Sequence, residues 1–153
     1  CLVPEKREEL TTEGGLDVAS QLPRMKEVCV QLDDNNIRVS LFIDADKRQI
    51  EAALACGAPV IEIHTGHYAD VFDPAERELK YNEIKQACIY AHSLGLQVNA
   101  GHGLTLDNTM AIAKIDSIVE LNIGHSIISR AVFIGLANAT TEMKVLMLEA
   151  RGL

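Results

Sequence analysis

Four short stretches of the chain set proton-transfer or anion-binding groups beside glycine. The first is Asn99-Ala100-Gly101-His102-Gly103-Leu104-Thr105. A histidine between two glycines at the end of a strand is open to a ligand, and bare backbone there can approach closely. Imidazole titrates near neutral pH, so His102 suits proton transfer. The second stretch is Asn122-Ile123-Gly124-His125-Ser126-Ile127, where a strand runs into a short helical turn. The amides of Gly103, Gly124 and His125 can converge on one phosphate, because a helix start offers unpaired N–H groups and a positive dipole end. The third is Glu62-Ile63-His64-Thr65-Gly66. Glu62 and His64 lie two apart in a strand and therefore project from one face. The carboxylate can accept a proton or stabilise developing positive charge. The fourth is Val3-Pro4-Glu5-Lys6-Arg7, followed by Thr11-Thr12-Glu13-Gly14-Gly15, which reads as a lid loop with hydroxyls for a ligand.

Each stretch also has a purely structural reading. His125 can be a helix-start residue bonding locally, Glu62 can belong to a buried polar network, and residues 5–15 can be a long surface loop. Asp44, Asp46 and His64 are metal-ligand types, but no tight ligand spacing recurs, so no metal is expected. His67 and His92 read as surface or helix residues.

The elements that must position these groups alternate. Strands are expected at 38–44, 60–64, 96–100 and 119–123, with Cys1-Leu2-Val3-Pro4 as the tail of a fifth. Asp46 caps a helix through Ile50, Ala53 and Leu54 that stops at Gly57. Asp73-Pro74 opens a long helix through Leu79, Ile84, Ala87 and Ala91 to Gly95. Thr105 is expected to open a short helix and Thr141 the last one. Leu22-Pro23 leads a helix through Met25, Val28, Cys29 and Leu32. Strands spaced for helical crossovers form a parallel sheet. In three strands one face is polar: Glu62 with His64, Gln97 with Asn99, Glu120 with Asn122. The other face is expected to pack on helices. In a βα barrel, polar strand ends line the mouth where the active site sits.

Composition narrows the class. With 24% charged and 48% hydrophobic residues the chain is globular, and it reads as one domain over residues 1–153 without a linker. The net charge of −8 and scattered basic residues exclude a nucleic-acid surface. No apolar run is long enough for a membrane helix. Cys29, Cys56 and Cys88 sit in helical patterns and no CxxC pair occurs, as expected for reduced core thiols of a cytoplasmic protein.

Together the stretches CLVPEKREELTTEGGLDV, VSLFIDAD, GAPVIEIHTGHYAD, LGLQVNAGHGLT, ELNIGHSIISRAV and MKVLMLEAR resemble the pyridoxine 5′-phosphate synthase family. The resemblance implies an α/β (β/α)8 TIM barrel that needs no metal or organic cofactor, cytoplasmic and homo-octameric, in vitamin B6 biosynthesis. The implied reaction condenses 3-amino-2-oxopropyl phosphate with 1-deoxy-D-xylulose 5-phosphate to pyridoxine 5′-phosphate, releasing phosphate and water. By motif, His102 matches the proton donor and Glu62 the residue stabilising the transition state. Gly103, Gly124 and His125 match positions binding the aminoketone phosphate, and Thr11 a contact to the deoxyxylulose phosphate. The family's motifs on its first three strands do not occur in this sequence. The chain is therefore expected to supply strands 4–8 and their helices, and to lack two of the general bases. Two other readings stand beside this one: a piece that binds phosphate esters without chemistry, and another phosphate-binding barrel of the aldolase or isomerase kind. The latter often use a strand-end lysine, and none of the expected strands offers one.

Overall fold

A computed structural model of the chain describes residues 1–4 and 14–153. Thr11 lies outside the described residues. Four parallel strands, β1 (Ser40–Ile43), β2 (Val60–His64), β3 (Gln97–Gly101) and β4 (Ile118–Asn122), pair in the order β1-β2-β3-β4. The opening segment adds to the free edge of β1, with a parallel bridge from Leu2 to Leu41. Helices α1 (Leu22–Asp34), α2 (Lys47–Ala55), α3 (Gly66–Ala69), α4 (Pro74–Ser93), α5 (Thr109–Ala113), α6 (His125–Ile134) and α7 (Leu136–Ala150) connect and flank them.

The caps read from sequence are present. Asp46 accepts from the Arg48 amide at 2.9 Å, and Asp73 accepts from the Glu76 amide at 2.9 Å. Each satisfies an otherwise orphaned first-turn donor. Leu41, Ile43, Ile61, Ile63, Val98 and Ala100 form the buried apolar face of the sheet. They share one core with Ile50, Ala53, Ile84, Cys88, Ala91 and Ile112 from the helices. Cys29, Cys56 and Cys88 are free and buried, as expected of core thiols. No described helix is long and apolar enough to cross a membrane.

Four local expectations change. Thr105 does not begin a helix: residues 105–108 make a turn in which Asn108 Oδ1 accepts from the Thr105 amide at 2.8 Å, and α5 starts at Thr109. The segment after Gly124 is a ten-residue helix rather than a short turn, and the last helix begins at Leu136, five residues before Thr141. The two helices abut at Gly135, whose φ of 82° ends one and admits the next. Val119 does not pack on a helix; it is 70% exposed. The cause is a β-bulge. Val98 pairs with Ile118 while Asn99 pairs with Glu120, so Val119 is left over. The extra residue rephases β4, putting Ile118 with the apolar face and Glu120 and Asn122 with the polar one.

Candidate active site

Register brings the polar residues into rows. Phe42, Glu62, Asn99 and Glu120 lie side by side across the sheet, and His64, Gly101 and Asn122 form the next row toward the strand ends. The row deeper in the sheet is tied by hydrogen bonds. Arg38 donates to Gln97 at 2.8 Å, Gln97 to Asn99 at 3.0 Å and Asn99 to Glu120 at 3.2 Å. For those residues the structural reading of the polar face holds.

Nearer the strand ends the side chains open onto a cavity of about 510 Å³. Glu62, His102, Gly103, Gly124 and His125 all line it, with Phe42, Asn122 and Ser126. The ends of three strands, β2, β3 and β4, and the start of α6 thus deliver the described site residues to one place. Glu62 is only 9% exposed, and Asn122 Nδ2 donates to its Oε2 at 2.9 Å. This contact depends on Gly101, which stands between them in the register. A Cβ there would come within 2.6 Å of Glu62 Oε1 and 2.7 Å of the Asn122 carbonyl. Burial pushes the Glu62 carboxyl above its ordinary range; the Asn122 bond pulls the other way, and nearby Glu120 adds to the rise. A carboxyl held this way can carry or accept a proton nearer neutrality than an exposed one.

His102 is exposed at the cavity wall with φ of 82°, a left-handed conformation uncommon for a side-chain-bearing residue. Gly103 follows at 75°, so the turn keeps positive φ for two residues. Partial burial, then neighbouring His64, lowers the His102 pKa, with Asp70 opposing. Imidazolium at this position therefore gives up its proton readily. Gly124 caps α6 without a side-chain bond, leaving first-turn amides unpaired by the helix on the cavity rim. His125 and Gly103 face the same space, which suits an anion such as a phosphate group.

Behind this wall lies a second constellation. His64 Nδ1 lies 3.0 Å from Asp44 Oδ1, and the Gly15 amide donates to the same oxygen at 2.9 Å. The His64 bond, opposed by burial and helped by the Gly15 amide, holds the Asp44 carboxyl below its ordinary range. The His64 ring is 5.1 Å from that of His102, centroid to centroid. Asp44, His64 and His67 bring ligand-type atoms within 4.8 Å of one another. The bond to Asp44 engages His64 Nδ1, while His64 Nε2 is buried without a hydrogen-bond partner among the described residues and the His67 side chain is 60% exposed.

The structure brings the expected Glu62, His102, Gly103, Gly124 and His125 to one cavity, and sequence reasoning missed what holds them. Thr65, fully buried, bonds the Gly101 carbonyl at 2.7 Å and also the His102 carbonyl. Asn108 donates to the Gly103 carbonyl at 3.2 Å, and Ser126 to that of Leu104 at 2.6 Å. A Thr directly after a polar strand end, and an Asn three residues after Thr105, were the available signals.

The sequence matches the family model described as "Pyridoxal phosphate biosynthesis protein PdxJ" over residues 1–149. It is 60% identical over 151 residues to the pyridoxine 5′-phosphate synthase of Photobacterium profundum, an alignment covering 99% of this chain. The chain spans 62% of the length of that relative. With the family model matched over nearly all its residues, the chain belongs to the PdxJ family of pyridoxal phosphate biosynthesis proteins.

Proposed function

We propose that the chain is the part of a pyridoxine 5′-phosphate synthase that carries the phosphate sites and the proton donor. The observation that carries the reading is the meeting of Glu62, His102, Gly103, Gly124 and His125 around one cavity. In this reading 3-amino-2-oxopropyl phosphate and 1-deoxy-D-xylulose 5-phosphate condense there to pyridoxine 5′-phosphate, with release of phosphate and water. The sheet forms strands 4–8 of a (β/α)8 barrel. Its strand order runs in sequence without reversal, as along a barrel wall, and lacks the switch point of a doubly wound sheet. Residues 1–153 act as one domain of a cytoplasmic homo-octamer, without metal or organic cofactor.

The division of labour follows from the site. The amides of Gly103 and of the Gly124-His125 helix start hold the aminoketone phosphate, and Thr11 contacts the deoxyxylulose phosphate. Phosphate handles on both substrates fix their reacting carbons and lower the entropic cost of joining them. Glu62, half-committed to Asn122, favours the cationic imine that forms when amine meets ketone. His102 returns protons during the eliminations that lead to the ring. His102→Asn in the intact protein should lower turnover of the two substrates at least about 100-fold, the usual scale of a general acid, while binding of a phosphate ester measured by calorimetry is retained. Near-normal turnover overturns the role of His102. Binding without turnover in the unaltered intact protein overturns the synthase reading in favour of phosphate-ester binding alone.

A further inference from the structure

His102 sits in a backbone conformation that does not hold itself. A non-glycine residue in the left-handed region persists only where its surroundings over-determine it. Here three consecutive carbonyls of the turn are engaged, two by Thr65 and one by Asn108. The Gly101 carbonyl accepts from the Thr65 amide at 2.8 Å, and Thr65 Oγ1 lies 2.7 Å from it. The same hydroxyl reaches the His102 carbonyl. The Gly103 carbonyl accepts from Asn108. In a planar trans peptide the N–H points opposite the C=O. Pinning the carbonyls of Gly101, His102 and Gly103 therefore fixes the amides of His102, Gly103 and Leu104 as well. The segment around Thr65 also fits the turn by shape. A Cβ on Gly66 would come 3.0 Å from His102 Cδ2, and a Cβ on Gly103 would come 2.7 Å from that of Ala69.

We infer that Thr65 is a positioning residue: its buried hydroxyl, shared between two carbonyls, fixes both the direction of the His102 imidazole and the aim of the Gly103 amide. The inference deepens the proposed function and rests on it. A hydroxyl has one proton, so it serves the two oxygens in alternation or by a bifurcated bond. Either way it ties both carbonyls to one buried point. A methyl in its place leaves both without this partner. Thr65 does not line the cavity; it acts through His102.

The test compares Thr65→Val, which keeps shape and loses the hydroxyl, with Thr65→Ser, which keeps the hydroxyl. In the intact protein, Thr65→Val should lower kcat about 10- to 100-fold with KM changed less than about 3-fold, the size expected for a misplaced catalytic group. Thr65→Ser should return kcat to within a few-fold of the parent. In NMR spectra of Thr65→Val the His102 ring and Gly103 amide signals should move, and those of distant α7 should not. Thr65→Val that is folded, turns over normally and keeps the His102 signals overturns the inference. Should Thr65→Val not fold, the unaltered protein decides. A strong intraresidue amide-to-Cα-proton NOE at His102 reports the positive φ, and its absence overturns the inference. His102→Asn run alongside keeps the two readings apart: turnover surviving in it overturns the role of His102, whereas turnover lost in it but normal in folded Thr65→Val overturns only the positioning role of Thr65.

Discussion

At the scale of the residue, the burial of Glu62 sets its proposed role against stability. Its carboxyl is raised by burial, so the folded state binds its proton more tightly than the unfolded chain does. The sign follows from linkage. The group imposes no cost below the ordinary value of 4.5, and stability is lost as pH rises from there through the raised folded value. Glu62→Gln keeps an acceptor for Asn122 and removes the charge. It should therefore melt higher than the parent at pH 7, with the difference vanishing below about pH 4.5, and turnover should fall more than about 10-fold. A melting curve at each pH checks this, and a constant offset across the range would refute the burial argument. The residue's place on the polar face was legible from sequence, because a carboxylate two positions from a histidine in a strand has to share its face. Its partner was not. Asn122 reaches Glu62 only because Gly101 contributes no side chain between them and because β4 is rephased by a bulge.

At the scale of the element, sequence signals worked where the chemistry is local. Asp46 and Asp73 mark helix starts because each bonds an amide two or three residues ahead. They failed where a loop side chain or a neighbouring strand, rather than a helix cap, makes the decision. The Thr105 turn is settled by an Asn108 side chain that also ties down Gly103. The bulge in β4 is set by pairing with β3. A strict two-residue alternation puts Val119 and Leu121 opposite Glu120 and Asn122, and it has no place for an unpaired residue. The register makes an unusual prediction. Deleting Val119 leaves Ile118 opposite Val98 and Glu120 opposite Asn99, a regular ladder with both faces intact. Deleting Leu121 instead turns Asn122 away from Glu62. The first deletion should fold and lose no more than about 1 kcal/mol, within the range of ordinary substitutions, and keep most of its activity. The second should abolish turnover. Urea denaturation and a turnover assay on both variants check the pair; equal damage from the two would show that the bulge is itself required.

At the scale of the whole molecule, the site depends on how the last strand is moored. β4 brings Asn122, Gly124 and His125 to the cavity, and its far end is held by the C-terminus of α7. Arg151 Nη2 donates to the Ile115 carbonyl at 2.9 Å and the Ile118 carbonyl at 2.7 Å, while Nη1 lies 3.7 Å from the Asp116 carboxylate. One planar guanidinium thus spans the turn that leads into β4 and ties it to the last helix. A fork of fixed geometry is what the arrangement needs; a lysine ammonium is a point charge on a flexible stem. Arg151→Ala should cost about 2 kcal/mol or more, the scale of lost hydrogen bonds from a charged donor. Amide exchange should quicken first in β4 and α7 rather than in β2. Arg151→Lys should recover less than half of the loss. The site should feel the change as weaker phosphate-ester binding at the Gly124-His125 turn before any change at Glu62, since β2 and β3 keep their own pairing. Full recovery by lysine would mean that charge beside Asp116, not the two carbonyl bonds, holds the strand in place.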